Sequence, residues 1–182
     1  MIVHRALPWD PRAAHDEPGG PLWFPQHFQG SGRHDNPGLY DCLYVAEAAV
    51  SAIAERLAPF RGTGALQPGL LTHAGRRLAL ASLELPESAL VLDLDEPCTL
   101  VRERLRPSAV ATRDRSVTQT YAAELHERHP AAALRWWSTL ESSWANLTLF
   151  DRSAPLLSVH AVRALKVGDP EVQGAAEALG LL

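Results

Sequence analysis

Four residue types, spread along the chain, could act on one ligand. Arg33 sits in Gly32-Arg33-His34-Asp35-Asn36-Pro37-Gly38, Tyr44 in Leu43-Tyr44-Val45, Glu55 in Ala52-Ile53-Ala54-Glu55, and Ser138 in Trp136-Trp137-Ser138. An arginine grips a phosphate or a ribose diol with a planar fork of donors. A tyrosine face stacks on a planar heterocycle. A carboxylate holds ribose hydroxyls and stabilises the positive charge that builds as a glycosidic bond breaks. A serine hydroxyl orients either of these by hydrogen bonding. Together they suit a dinucleotide whose glycosidic bond is to be broken. The nicotinamide of NAD already carries a positive charge and leaves without an acid, so one carboxylate is sufficient.

Each residue also has a plainer reading. On the helix expected over 47–58, ended by Pro59, Val50, Ile53, Ala54 and Leu57 follow the apolar i, i+3, i+4, i+7 spacing. At about 100° per residue, Glu55 falls about 200° from Ile53, off the core face and on a stripe with Glu47 and Ser51. That position describes a solvated helix glutamate unless the upstream arginine and tyrosine recruit it. Ser142 and Ser143 compete with Ser138 for the serine role.

The elements that must place these residues are mixed. Strands are expected at 2–7, 42–46, 77–85, 89–94, 134–137, 146–150 and 157–165. Helices are expected at 96–105 behind an Asp95 cap, at 115–128 with Val117, Tyr121 and Leu125 inward, and from Pro170 with Val172, Ala175, Ala176 and Leu179 inward. Residues 8–38 and 62–75 read as loops, the first too long to be a mere connector. Strands and helices do not alternate strictly, which marks an α+β fold with a mixed sheet.

Composition narrows the function. A chain of 182 residues favours one domain, here 1–182, and buries roughly 70% of its unfolded surface. A net charge of −4 argues against nucleic acid as the main ligand, which needs a basic face. Arg102, Arg104, Arg106, Arg113 and Arg115 form a local basic cluster, either solvated or facing an acidic partner or ligand phosphates. No apolar run approaches the ~18 residues of a membrane span and the N-terminus lacks a signal-peptide pattern, so the expected location is cytoplasmic. Cys42 and Cys98 match no metal or redox spacing and read as two buried thiols in a reducing compartment. His126 and His129 read as exposed polar side chains rather than half a metal site, and Asp93 and Asp95 as helix caps; no metal is expected. Neither familiar glycine-rich phosphate loop nor a nucleophile elbow is present.

The chain resembles the RES-domain family, the toxin half of bacterial RES–Xre toxin–antitoxin systems, named for its arginine, glutamate and serine. The resemblance runs over about residues 2–155. It lies in Gly32-Arg33, Asn36-Pro37-Gly38, Leu43-Tyr44-Val45-Ala46-Glu47 and Ala52-Ile53-Ala54-Glu55, then in Ala111-Thr112-Arg113-Asp114-Arg115 with Thr118-Gln119, Trp137-Ser138, and Asn146-Leu147-Thr148-Leu149-Phe150-Asp151. Ser31 stands where the family often has a glycine, and His34-Asp35 replace its usual aromatic–asparagine pair. The resemblance implies a compact fold similar to ADP-ribosyltransferases, with NAD as substrate in a cleft. It implies that Arg33 contacts NAD, Tyr44 stacks near nicotinamide, Glu55 is the catalytic carboxylate and Ser138, which follows the aromatic strand, supports the ribose end. The implied activity is NAD degradation that arrests growth, with water, phosphate or a protein as acceptor. The implied partner is an Xre-like helix-turn-helix antitoxin, with a homodimer inside that complex as a further expectation and no direct contact with DNA. A mono-ADP-ribosyltransferase and a non-catalytic binding module are the alternative functions.

Overall fold

The computed structural model describes residues Met1–Leu182. In chain order the elements begin with β1 (Ile2–Pro8), β2 (Cys42–Ala46), α1 (Ala49–Leu57), β3 (Thr72–His73), β4 (Arg76–Glu84) and β5 (Val91–Asp93). They continue with α2 (Pro97–Glu103), α3 (Pro107–Ala111), α4 (Arg115–Arg128), β6 (Ala133–Trp137), β7 (Ala145–Phe150), β8 (Ser158–Ala164) and α5 (Pro170–Leu179). The chain forms two compact units, one from Met1–Trp23, Val45–Leu85 and Leu157–Leu182, the other from Phe24–Tyr44 and Pro86–Leu156.

In the first unit the strand order is β3–β4–β1–β2, with β8 also paired to β4. β1 lies antiparallel to β4 from Ile2↔Glu84 to Pro8↔Leu78, and β4 lies antiparallel to β8 with a register shift between Ser82 and Leu83. The β3–β4 hairpin turns on Ala74 and Gly75, both at positive φ (49° and 76°), the backbone a two-residue primed turn demands. Helix α1 packs on α5, which turns Val172, Ala175, Ala176 and Leu179 inward as their spacing predicts. A Cβ at Gly174 would stand 3.3 Å from a Val50 methyl, so a small residue there lets the two helices approach closely. Gly180, at φ 67°, ends α5 by donating its N–H to the Ala176 and Glu177 carbonyls.

In the second unit, which takes Cys42–Tyr44 of β2 while Val45 and Ala46 belong to the first, the order is β2–β7–β6–β5. β5 and β6 are parallel (Val91↔Ala133 to Asp93↔Arg135), while β6 and β7 are antiparallel. The parallel pair among antiparallel ones makes the sheet mixed and the fold α+β. Tyr40, Leu94, Tyr121, Leu125, Leu134 and Phe150 are among the residues that fill this unit's core.

Several local expectations differ from the structure. α1 starts at Ala49, and Pro59 sits inside a following 3-10 turn, Ala58–Phe60, because proline suits a first turn. Residues 62–75 are not a plain loop: they hold a 3-10 turn, Pro68–Leu71, and β3. A short helix, α3, occupies part of the stretch between α2 and α4. Asp95 does not cap α2, whose N-cap is Glu96 without a side-chain bond. Asp93 and Asp95 instead face Arg135, at 3.1 and 3.5 Å. On α4 Thr118 turns inward and Val117 is 40% exposed, because the buried face is Thr118, Tyr121, Ala122, Leu125. Cys42 is buried but Cys98 is exposed on α2, and both are free thiols. His126 and His129 are half-buried and engaged: His126 packs against Tyr40 and Phe150, and His129 meets the buried Glu103 carboxylate at 3.0 Å.

Candidate functional site

The arginine loop is built around one carboxylate. Asp35, 5% exposed, accepts hydrogen bonds from the Gly30 N–H (2.8 Å), the Gly32 N–H (2.6 Å), the Tyr44 hydroxyl (2.6 Å) and the Cys42 thiol (3.3 Å). Burial alone would raise its pKa; the bonds from Tyr44, Gly30, Gly32 and Cys42 outweigh burial and hold it below the usual aspartate value. Gly32 has to be small: a Cβ there would come within 2.6 Å of both Asp35 Oδ2 and the Tyr44 oxygen, and closer still to Asp35 Oδ1. Gln119 on α4 closes the loop from outside, its amide donating to the Gly30 and Gly32 carbonyls. Asn36 and Tyr40 both donate to the His34 carbonyl.

Arg33 is 5% exposed. Its Nη1 donates to the Val110 carbonyl (2.8 Å) and the Thr112 carbonyl (2.9 Å), and its guanidinium lies 4.8 Å from the Trp136 ring centroid. The side chain is thus fixed by the end of α3, by Thr112 just after it and by an aromatic face, which makes it a charge of set position. Next to it His34 is fully buried, with Nδ1 2.7 Å from Thr148 Oγ1 and Nε2 2.7 Å from the Tyr121 hydroxyl. Burial first, then the Arg33 and Arg115 charges, push its pKa well below that of an ordinary histidine, so the ring is neutral. Trp136 Nε1 also donates to Thr148 (3.1 Å). A neutral imidazole donates from one ring nitrogen and accepts at the other, so His34 can bridge the Thr148 and Tyr121 hydroxyls in either tautomer.

The remaining sequence candidates fall as follows. Tyr44 is partly buried; its hydroxyl donates to Asp35 and accepts the His34 N–H (2.8 Å), so the ring rather than the hydroxyl is what it offers a ligand. Ser138 is 2% exposed at the end of β6, where its amide donates to the Trp144 carbonyl and its hydroxyl accepts the Leu140 N–H. Ser142 and Ser143 are exposed, and Ser143 is bonded to Glu141. Arg33, Tyr44 and Ser138 thus all belong to the second unit, whereas Glu55 lies on α1 of the first. Glu55 is partly buried, and the stripe it shares is not simply solvated, because Ser51 is fully buried.

Sequence reasoning passed over Asp35, His34, Tyr121 and Thr148 as working parts. The signal was weak: His34-Asp35 stood out only as a departure from a family pattern, and their partners lie up to 114 residues away. An open cavity is lined by His126, Arg128, His129 and Arg152, at the opposite end of α4 from Arg115. Its cations are already engaged: Arg152 donates to the His126 and His129 carbonyls, and Arg128 pairs with Glu103 at 3.0 Å. No group of three or more His, Cys, Asp or Glu side chains is placed to hold a metal ion. No helix is long and apolar enough to cross a membrane.

Comparison with known proteins agrees with this architecture. No curated protein matches the sequence. Among solved structures, the crystal structure of the M. tuberculosis MbcT–MbcA toxin–antitoxin complex contains a chain of similar fold. The TM-score is 0.63 at 16% identity, covering 99% of this chain and 87% of that one. The family model for the RES domain matches residues 3–170, a span that includes Arg33, Tyr44, Glu55 and Ser138. The chain, with its buried arginine loop, belongs to the RES-domain family.

Proposed function

We propose that this chain is the toxin of a toxin–antitoxin pair and degrades NAD by cleaving the nicotinamide–ribose bond. The observation that carries the reading is the RES-domain match across residues 3–170, a span within which Arg33, Glu55 and Ser138 lie. The loop geometry supports it: Arg33 is a buried cation of fixed position beside Trp136, suited to a phosphate or ribose. Tyr44 offers its ring to the nicotinamide, since its hydroxyl is committed to Asp35. Ser138 supports the ribose end. Glu55 supplies the negative charge that stabilises the developing oxocarbenium ion. The leaving nicotinamide becomes neutral on departure, so no general acid is required. The protein acts in the cytoplasm and is held inactive by an Xre-like helix-turn-helix antitoxin, in a complex that can contain two copies of the toxin. The similarity of fold to a chain of a toxin–antitoxin complex favours a protein partner.

The test is a time course of nicotinamide release from NAD by antitoxin-free protein, with and without phosphate, beside Glu55→Ala. Release that is lost in a folded Glu55→Ala protein supports the reading. The second product identifies the acceptor as water or phosphate. Wild-type protein that binds NAD and releases no nicotinamide would overturn it.

A further inference from the structure

We propose that the outer face of α2, together with the arginines that follow it, is a docking surface for an acidic, amphipathic segment of a protein partner. The inference goes beyond the NAD-cleaving reading and does not depend on it, since it concerns binding alone.

α2 turns Thr99, Leu100 and Glu103 inward. Its other side carries Cys98 and Val101, three residues apart and therefore neighbours on one face. Both are exposed, and Val101, at 79%, is the most exposed of the large apolar side chains. Leu105 packs onto the core of the second unit, whereas Arg104 and Arg106 on either side of it are exposed. A short apolar stripe thus leads directly into two cations.

Nothing within the chain uses the Arg104 side chain, although its backbone sits where glycine is the natural choice. It ends α2 at φ 57°, donating its N–H to the Leu100 and Val101 carbonyls. Gly180 ends α5 at φ 67° with the same pattern of bonds. Glycine adopts that backbone freely and arginine does not. A cation gains from the negative end of a helix dipole, but Arg102 in the last turn already stands there. Arg102 also pairs with the buried Glu103 carboxylate at 2.9 Å, whereas Arg104 and Arg106 make no ion pair. Strain that no internal contact offsets points to an external one.

Charge identifies the occupant. Residues 101–115 hold five of the chain's 17 Lys and Arg and two of its 21 Asp and Glu, a basic patch on a chain of net charge −4. Arg113 and Arg115 are exposed as well, and α3, which separates them from Arg106, is five residues, about 7.5 Å, long, so the positive field extends past Arg106. Complementarity calls for acidic groups opposite the arginines and an apolar group opposite Val101. A nucleic acid matches the charge but not the valine, and the acidic remainder of the chain repels a long polyanion.

The experiment measures, by calorimetry on the full chain, binding of a short synthetic peptide with glutamate and leucine at helical spacing. Two control peptides carry glutamine for glutamate, or serine for leucine. The proteins are wild type, Val101→Ser, Arg104→Gly and the double variant Arg104→Glu/Arg106→Glu, each checked for retained fold by circular dichroism. Wild type should bind the first peptide more tightly than either control. The charge reversal should weaken that binding roughly 10- to 50-fold, and Val101→Ser roughly 5- to 20-fold. Arg104→Gly separates docking from folding: it should raise the melting temperature by roughly 2–4 °C while weakening the peptide roughly 2- to 5-fold. No binding by wild type, equal affinity for the glutamate and glutamine peptides, or an affinity unchanged by the charge reversal would each overturn the proposal. So would an Arg104→Gly protein that melts below wild type, because the arginine would then serve the fold. Tighter binding of a single-stranded oligonucleotide, lost in the charge reversal, would give the surface to nucleic acid. Self-association lost in the same variant would give it to a second copy; either removes the acidic partner. Nicotinamide release plays no part in these measurements, so failure of the NAD-cleaving reading leaves them intact.

Discussion

Replacing Gly32 with alanine tests the arginine loop at its tightest point. The added methyl would sit 2.6 Å from Asp35 Oδ2 and from the Tyr44 oxygen, and nearer still to Asp35 Oδ1. None of these atoms can give way freely, because Asp35 holds four donors and the Tyr44 oxygen both donates to Asp35 and accepts the His34 N–H. The cheapest relief is to break the Tyr44–Asp35 bond. A hydrogen bond to a charged group is worth about 1.5–3 kcal/mol, and forcing a methyl into a filled space costs about 1–3 kcal/mol. Since breaking the bond relieves part of the crowding, the expected loss is about 2–3 kcal/mol. In a chain of this size that lowers the melting temperature by roughly 4–12 °C. The assay is calorimetry on four proteins: wild type, Gly32→Ala, Tyr44→Phe and the double variant. Tyr44→Phe removes one of the obstructing atoms, so Gly32→Ala should cost at least about 1 kcal/mol less in that background. A Gly32→Ala protein melting within about 1 °C of wild type, or costs that simply add, would refute the account of the loop.

Two further predictions follow from buried groups. His34 is held neutral, with its pKa well below that of the unfolded chain, so the unfolded state binds the extra proton first. Stability from this residue is therefore intact above about pH 6.5 and declines below it, by up to about 1.4 kcal/mol per pH unit; urea denaturation at pH 7.5 and 5.5 should show the gap between wild type and His34→Gln narrowing at the lower pH. A gap that is constant or widens would contradict the neutral, doubly bonded ring. Cys98 should react with a thiol reagent in the folded protein within minutes, whereas Cys42, whose thiol burial and then Asp35 push far above the ordinary range, should react only on unfolding; equal labelling of both in native protein would be inconsistent with the packing around Asp35.

Where the sequence was readable, the reasons are local. Proline at the start and glycine just after the end frame α5, and its inward residues recur at helical spacing. β1, β2 and α4 were equally legible, because alternation and periodicity are properties of neighbouring residues. The arginine loop was legible only as a list of residue types. What fixes it are bonds across long separations, Arg33 to Val110 over 77 residues and His34 to Tyr121 over 87. No spacing rule encodes those. The same limit explains Val117, Asp95 and Cys98: each has the right local character for the role expected of it, and tertiary packing placed a neighbour there instead. Glu55 shows the converse. Periodicity put it off the apolar face, which is where it lies, but Ser51 on the same stripe is buried, and so a polar stripe was not a solvent-facing one.

The discontinuous make-up of the two units bears on synthesis. The second unit contains nothing beyond Leu156, whereas the first needs residues from both ends of the chain, with β8 and α5 supplying partners for β4 and α1. As the polypeptide emerges, the arginine loop and its supports can therefore assemble while the helix that carries Glu55 still shows an uncovered apolar side. At ordinary translation rates of ~5–20 residues per second, that interval lasts roughly 1–5 s. A chain stalled or cleaved near residue 157 would hold Arg33 in place yet leave Glu55 on an unfinished support. On the proposed function, such a fragment is harmless to the cell that makes it, and a newly made toxin allows a few seconds for its antitoxin to arrive.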